Sequence, residues 1–262
     1  MKPVVRNLLF VLAVAAFAAV CGLILAYSLE SRRLITCEEA VDVQLPDAER
    51  SFVSEQDVKD YLRDYYGPYT GARLDSVDLD RIETVLDARS AIRKSEAWTT
   101  DDGILHISIT QREPVVRFMK SGTEGFYADD RGFIFPLQEA WSPEVPVVDG
   151  KIPLYAGADY KGEPGTQAEK EWMAGLLSLL EYMKGSRRWA ESFSRITVEE
   201  NGALVLIPAE GNERFIFGSA DSPREKFARI DSYYRYIKPS KDEDYYHTVD
   251  VRYDGQIICR NK

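Results

Sequence analysis

The sequence predicts an α+β protein: an N-terminal transmembrane helix, a small α+β domain over 37–120, and a mixed β-sheet domain with packing helices over 121–262. Three observations carry this. Leu8–Tyr27, LLFVLAVAAFAAVCGLILAY, contains no charge. The stretch behind it changes hydrophobic period in the order strand, helix, helix, strand, strand. The remainder is mostly short period-two runs broken by Asp-Gly, Asn-Gly and Gly-Asn turns, with two helical stretches among them.

Twenty helical residues rise about 30 Å, the thickness of a bilayer hydrocarbon core, so lipid contact is assigned to 8–27. Tyr27 sits where an interfacial aromatic is favoured. A cleaved signal peptide has a shorter apolar core of about 7–15 residues, although Ala26-Tyr27-Ser28 is a passable small-x-small site. A lipoprotein signal wants a small residue before its cysteine, and Val20 precedes Cys21. The segment is read as an anchor. Lys2 and Arg6 on one side tie with Arg32 and Arg33 on the other. All the architecture follows the span, so residues 1–7 are expected in the cytoplasm and the bulk of the chain outside it.

Ser28–Thr36 reads as a polar connector and Ala40–Leu45 as a weak strand. Ser54-Glu55-Gln56-Asp57 resembles a capping box. It opens a helix through Tyr66, with Val58, Tyr61, Leu62 and Tyr65 on one face and Gly67-Pro68 as the stop. Asp78 caps Leu79–Asp87, whose stripe is Leu79, Ile82, Val85 and Leu86. Ile92–Thr99 and Ile104–Ile109 flank a turn at Asp101-Asp102-Gly103; Leu105, Ile107 and Ile109 share a face. This order and size resemble a POTRA domain.

In the second region, Phe126-Tyr127 and Phe133–Phe135 flank Asp129-Asp130-Arg131-Gly132, and Val145–Val148 is a short apolar piece. Thr166-Gln167-Ala168-Glu169 opens a helix to Lys184, with Trp172, Met173, Leu176, Leu177, Leu180 and Met183 as its stripe. Asn201-Gly202 predicts a hairpin with a type I′ turn. Ser222-Pro223-Arg224-Glu225 starts another helix, with Ser222 as N-cap and Phe227, Ile230, Tyr234 and Ile237 on one face.

Composition narrows the function classes. A formal net charge of −10 argues against nucleic acid as a partner. There is no zinc spacing, glycine-rich phosphate loop or nucleophile elbow, so no enzyme, cofactor or small-molecule substrate is expected. His106 and His247 read as ordinary strand residues. Asp101/Asp102 and Asp129/Asp130 precede glycines, where aspartate serves turns. Arg187-Arg188-Trp189 reads as helix-terminal packing in preference to a surface patch. Cys37 and Cys259 could pair only if their Cα atoms came within about 7 Å.

The last hairpin is the informative one. A two-residue Asp254-Gly255 loop places Tyr253 opposite Gln256, Arg252 opposite Ile257, Val251 opposite Ile258 and Asp250 opposite Cys259. A terminal strand is often an edge strand that can accept a partner strand. The alternative stays open: Arg260 and Lys262 guard that edge against association.

Val77–Glu83, Thr110-Gln111-Arg112-Glu113-Pro114-Val115, Phe126–Gly132, Val145–Gly150 and Val249–Tyr253, in this order and spacing, resemble the FtsQ/DivIB family of bacterial division proteins. The resemblance covers essentially the whole chain. It implies a non-enzymatic divisome scaffold at the septum of the inner membrane, binding FtsB/FtsL-like division proteins at the last strand. Carried onto this chain, the partner-binding residues are Arg252, Tyr253, Gly255, Gln256, Ile257, Ile258, Cys259 and Arg260, with Tyr253 and Ile257 supplying selectivity. The cytoplasmic tail is shorter than in many members. Two other classes compete. A POTRA-bearing outer-membrane assembly component usually carries several such modules or a barrel. A membrane-anchored cell-wall enzyme needs a catalytic constellation.

Overall fold

The computed structural model describes residues 3–37, 41–45, 51–138, 141–157, 159–242 and 245–261, and in the first helix the side chains of 12–28. Lys2, Ala40 and Lys262, invoked above for orientation, strand and edge, lie outside the described residues. Helix α1 runs Pro3–Leu34. It continues through most of the expected connector, because Leu29–Leu34 holds no glycine or proline to stop it. Among the described residues no helix is long and apolar enough to cross a membrane. The described apolar side chains of α1 face outward, Phe17 at 72% and Leu23 at 70% exposure.

The chain divides into two compact units between Gln111 and Arg112, α1 falling in the first. In the first, β1 (Val41–Gln44), α2 (Glu55–Tyr61), α3 (Leu79–Asp87), β2 (Ile92–Thr99) and β3 (Leu105–Gln111) follow the predicted order. The sheet order is β1-β3-β2, with β1 parallel and β2 antiparallel to the central β3. Ser54 and Asp57 close a capping box on α2. Val58, Leu62, Ile82 and Leu86 bury with Leu105, Ile107 and Ile109. Tyr65 does not join them and is 62% exposed. The chain winds from α2 into a π-helical turn, Leu62–Tyr66, closed by the Gly67 N–H on Leu62 O at 3.0 Å. The wider turn rotates Tyr65 off the 3.6-residue stripe.

The second unit contains β4 (Pro114–Ser121), β5 (Glu124–Asp129), β6 (Ile134–Pro136), β7 (Val147–Gly150), α4 (Gln167–Lys184), β8 (Phe193–Val198), β9 (Leu204–Pro208), β10 (Arg214–Gly218), α5 (Pro223–Ser232), β11 (Thr248–Asp250) and β12 (Ile258–Arg260). One nine-stranded sheet runs β12-β11-β10-β9-β8-β7-β4-β5-β6. The expected boundary at 120/121 moves to 111/112, since β4 pairs with β5 and β7. The apolar piece at 145–148 becomes β7 in mid-sheet, parallel to both β4 and β8. Met173, Leu176 and Leu180 of α4 and Phe227 and Ile230 of α5 pack with Val116, Phe118, Val148, Ile196, Leu206 and Phe215 in one core.

Three local expectations are corrected. Leu179 is fully buried on α4, whereas Leu177 and Trp172 are half-buried. The β8–β9 register pairs Val198 with Leu204, and the Gly202 N–H bonds Glu199 O at 2.9 Å. A type I′ turn needs positive φ at both Asn201 and Gly202; only Gly202 has it, at 80°. The connection is therefore a longer loop with Gly202 in the left-handed position. Ser222 has φ 48° and makes no side-chain cap, because the left-handed backbone turns its hydroxyl away from the first helical turn. The Lys226 ammonium occupies that corner instead, bonding Ser219 O at 2.8 Å and Asp221 Oδ1 at 3.0 Å.

Candidate functional site

Strand β12 ends the nine-stranded sheet, so one of its sides carries no described strand. β11 lies parallel to β10, pairing Phe215 with Val249 and Ile216 with Asp250. β12 returns antiparallel, pairing Thr248 with Arg260, Val249 with Cys259 and Asp250 with Ile258. This corrects the predicted register by one residue. The physical cause is the route of the chain after Asp250. The Val251 N–H bonds Ile216 O of β10 at 3.1 Å. Arg229 of α5 takes Val251 O with Nε at 2.8 Å and Asp254 Oδ1 with Nη1 at 3.0 Å. Val251 is thereby drawn out of the β11–β12 ladder, and the loop lengthens to 251–257.

A one-residue slip exchanges the faces of a strand. Ile257 and Cys259 now pack against the core beside Val249 and Val251, and Ile258 shares the opposite face with Asp250. Arg252, Tyr253, Gly255, Gln256 and Arg260 are exposed, and Ile257, Ile258 and Cys259 half-buried. The structure thus brings all eight residues to one end of one sheet, with Ile257 turned more to the core than a selectivity role requires.

Asp250 is 3% exposed and organises the corner. Its Oδ1 accepts from the Arg252 N–H at 3.1 Å and Nε at 3.0 Å, and its Oδ2 from Nη2 at 2.7 Å. Burial works to raise the Asp250 carboxyl, but the Arg252 hydrogen bonds outweigh it and hold the group below its ordinary value. The Arg252 guanidinium is raised in turn by that bonding and lies 5.3 Å from the Tyr253 ring centroid. The stem of Arg252 crosses Gly218, where an added Cβ would meet its Cγ and Cδ at 2.9 Å. Gly218 also has φ 78°. Tyr253 stays 45% exposed beside this fixed arginine.

Sequence reasoning missed Gly218 and Arg229. Gly218 carries a readable signal, a glycine closing a strand, but nothing in the chain links it to Arg252. Arg229 reads as a solvent-side helix residue.

The remaining candidates resolve into structure. Asp129 is fully buried; its Oδ1 accepts from the Arg131 and Phe133 N–H groups and its Oδ2 from Arg112 Nη1 at 2.9 Å. Arg112 lies 3.5 Å over the Phe133 ring. Asp149 accepts from Thr197 Oγ1 at 2.7 Å and Arg195 Nη1 at 3.2 Å. Gly150 lets β8 approach, since a Cβ there would meet Val198 O at 2.3 Å. These contacts give the quoted sequence motifs a folding role.

His247 joins strands through its backbone. His106 is less bland than expected, bonded to Asp42 Oδ2 at 2.9 Å and stacked on Trp98. Trp189 is buried, with Arg188 4.8 Å from its ring. Cys21, Cys37 and Cys259 are free, and burial raises the thiols of Cys37 and Cys259. Among the described residues no group of three histidine, cysteine or acidic side chains is placed to hold a metal. A cleft of about 1110 Å³ beside α4, lined by Val115, Val145, Met173 and Leu177 among others, contains neither histidine nor cysteine.

Residues 113–260 match the sequence profile of the family described as FtsQ/DivIB, C-terminal related. Residues 36–110 match that of the POTRA-like domain. No curated protein matches the chain.

Proposed function

From the premise that the chain belongs to the FtsQ/DivIB-related family and is a cell-division POTRA protein, we propose that it is a membrane-anchored, non-enzymatic scaffold that receives FtsB/FtsL-like partners at β12. The observation that carries this reading is the contrast between the two ends of the nine-stranded sheet. At the β6 end, the Ile134 N–H bonds Gly162 O at 2.8 Å and the Gly162 N–H bonds Ile134 O at 3.0 Å, and Pro136 has no N–H to offer. At the β12 end, among the described residues, no such bridge covers the strand. An added strand gains main-chain hydrogen bonds there, while Arg252 and Tyr253 offer side-chain recognition held in place by Asp250 and Arg229.

The anchor belongs to the same proposal. Leu8–Tyr27 is uncharged and sits within α1, whose described apolar side chains contact little of the protein. The expected placement is N-terminus inside, folded units outside the cytoplasm and concentration at the division septum. Resistance of the full chain to alkaline extraction from membranes, together with protease sensitivity only from the outer side, is the expected result.

The binding test titrates the extracytoplasmic segment of an FtsB-like protein into the full chain in detergent by calorimetry. Tyr253→Ala should weaken binding by about 2 kcal/mol, the scale of an aromatic anchor, with stability changed by less than about 0.5 kcal/mol. Ile258→Pro should weaken it further by crippling the edge. Unchanged affinity in both variants with an intact fold would sink strand addition at β12.

A further inference from the structure

The outer side of β2, at the end of the three-stranded sheet, is closed from within the same unit. Ser95 and Ala97 stand two residues apart in β2, opposite Ile109 and Ile107 of β3. Neither N–H is given to β3. The Ser95 N–H bonds Asp87 Oδ1 at 2.7 Å, and its hydroxyl bonds the same oxygen at 2.8 Å. The Ala97 N–H bonds Glu83 Oε1 at 2.8 Å. Glu83 and Asp87 are one helical turn apart on α3, so their spacing of about 6 Å along the helix axis matches the roughly 6.6 Å between alternate strand residues.

Two successive outward donors of an edge strand are thus held by side-chain oxygens standing where the carbonyls of a further strand would stand. The sequence permits it: Ser95 and Ala97 are small, and Ser95 is 1% exposed where α3 crosses. A carboxylate oxygen is a stronger acceptor of a backbone N–H than the peptide carbonyl a new strand would offer.

We propose that Glu83 and Asp87 form a latch that closes the β2 edge to strand addition, and that the first unit becomes a strand-pairing surface only when those carboxylates are drawn away. The partner that fits the opened edge is an extended peptide carrying lysine or arginine. Its carbonyls replace the carboxylates on Ser95 and Ala97, and its cations take up the released Glu83 and Asp87. The inference does not rest on the β12 reading, because it concerns the other unit and other residues.

The test is amide hydrogen exchange on the full chain in detergent, resolved at Ser95 and Ala97, combined with the mass of the protein in solution by light scattering. In the unaltered chain both amides should be protected. In the Glu83→Ala/Asp87→Ala double variant they should exchange about tenfold faster or more, and a strand peptide without lysine or arginine, which relies on the opened main-chain donors alone, should bind the variant at least tenfold more tightly than it binds the parent. Adding Ala97→Pro to the double variant should abolish that binding, since it removes an outward donor and leaves the β2–β3 ladder intact. Free exchange at Ser95 and Ala97 in the unaltered chain would overturn the latch without any variant needing to fold. A folded double variant with unchanged exchange and unchanged peptide binding would overturn it equally.

Discussion

Each of the two sheets has an edge strand that invites comparison, β2 in the first and β12 in the second, and the two are treated in opposite ways. β2 is eight residues long and contains the β-favouring Ile92, Trp98 and Thr99, yet helix carboxylates occupy its outward donors at Ser95 and Ala97. β12 is three residues long; its neighbourhood supports a fixed arginine and an exposed tyrosine, and among the described residues no bridge covers its outer side. Length and β-propensity would rank β2 as the better docking strand. The supply of acceptors from neighbouring elements reverses the ranking, because a strand can pair only through backbone groups that nothing else has claimed.

The comparison can be broken hardest at its foundation. Phe215 is fully buried in β10, beside β11, with its ring near Phe193, Tyr233 and Tyr234. Phe215→Ala should cost about 3–5 kcal/mol and remove the β12 edge with it, while the protection of Ser95 and Ala97 persists. Chemical denaturation followed by site-resolved exchange checks both halves. Loss of protection at β2 as well would show that the two edges share one stability.

A smaller effect is expected at Gly218. Its φ of 78° alone makes alanine unfavourable by about 1–2 kcal/mol, and the added Cβ meets the stem of Arg252. Gly218→Ala should lower the unfolding midpoint and displace Arg252, weakening partner binding more than stability accounts for. An affinity loss no larger than the stability loss would remove Gly218 from the site.

The smallest effect is a pH dependence. The Asp250 carboxyl is held below its ordinary value of 3.8 by Arg252 against the opposing effect of burial. A depressed native value means the pair contributes stability above pH 3.8 that is lost as pH falls below it toward the native value. Asp250→Asn should flatten this acid limb by lowering the midpoint at neutral pH, where the pair contributes, more than near pH 2, where it does not. An acid limb of the same slope in both proteins, measured by thermal unfolding between pH 5 and about 2, would show that the pair makes no net contribution.

Much of this was legible. Ser54 and Thr166 cap α2 and α4 as their sequences require, each bonded reciprocally to the acid three residues on. Helix α3 and strand β2 have the bounds that Asp78 and the Ile92–Thr99 pattern indicate. The last strand was readable as a sheet end, but its register was not. Val249, Val251 and Tyr253 alternate equally well in the predicted register and in the one adopted. The choice falls to Arg229 and Ile216, which hold Val251 from α5 and β10. The Glu199–Gly202 loop differs for a related reason: Asn-Gly admits two turn geometries, and the pairing of Thr197 with Val205 selects one.

The chain by itself determined the elements whose causes lie within a few residues: capping boxes, helix stripes, the glycines that end turns, and the uncharged run Leu8–Tyr27. Only the tertiary structure decided that β7 lies between β4 and β8, that β11 runs parallel to β10, that Asp250 holds Arg252 over Gly218, and that Glu83 and Asp87 take the outward donors of β2 while, among the described residues, no bridge covers β12. Most of these depend on partners far apart in sequence. Even the short-range pair of Asp250 and Arg252 needs Gly218 and Arg229 to set its place. Such contacts form only where the packed core brings the elements together, and local alternation or propensity carries no record of which distant group will arrive.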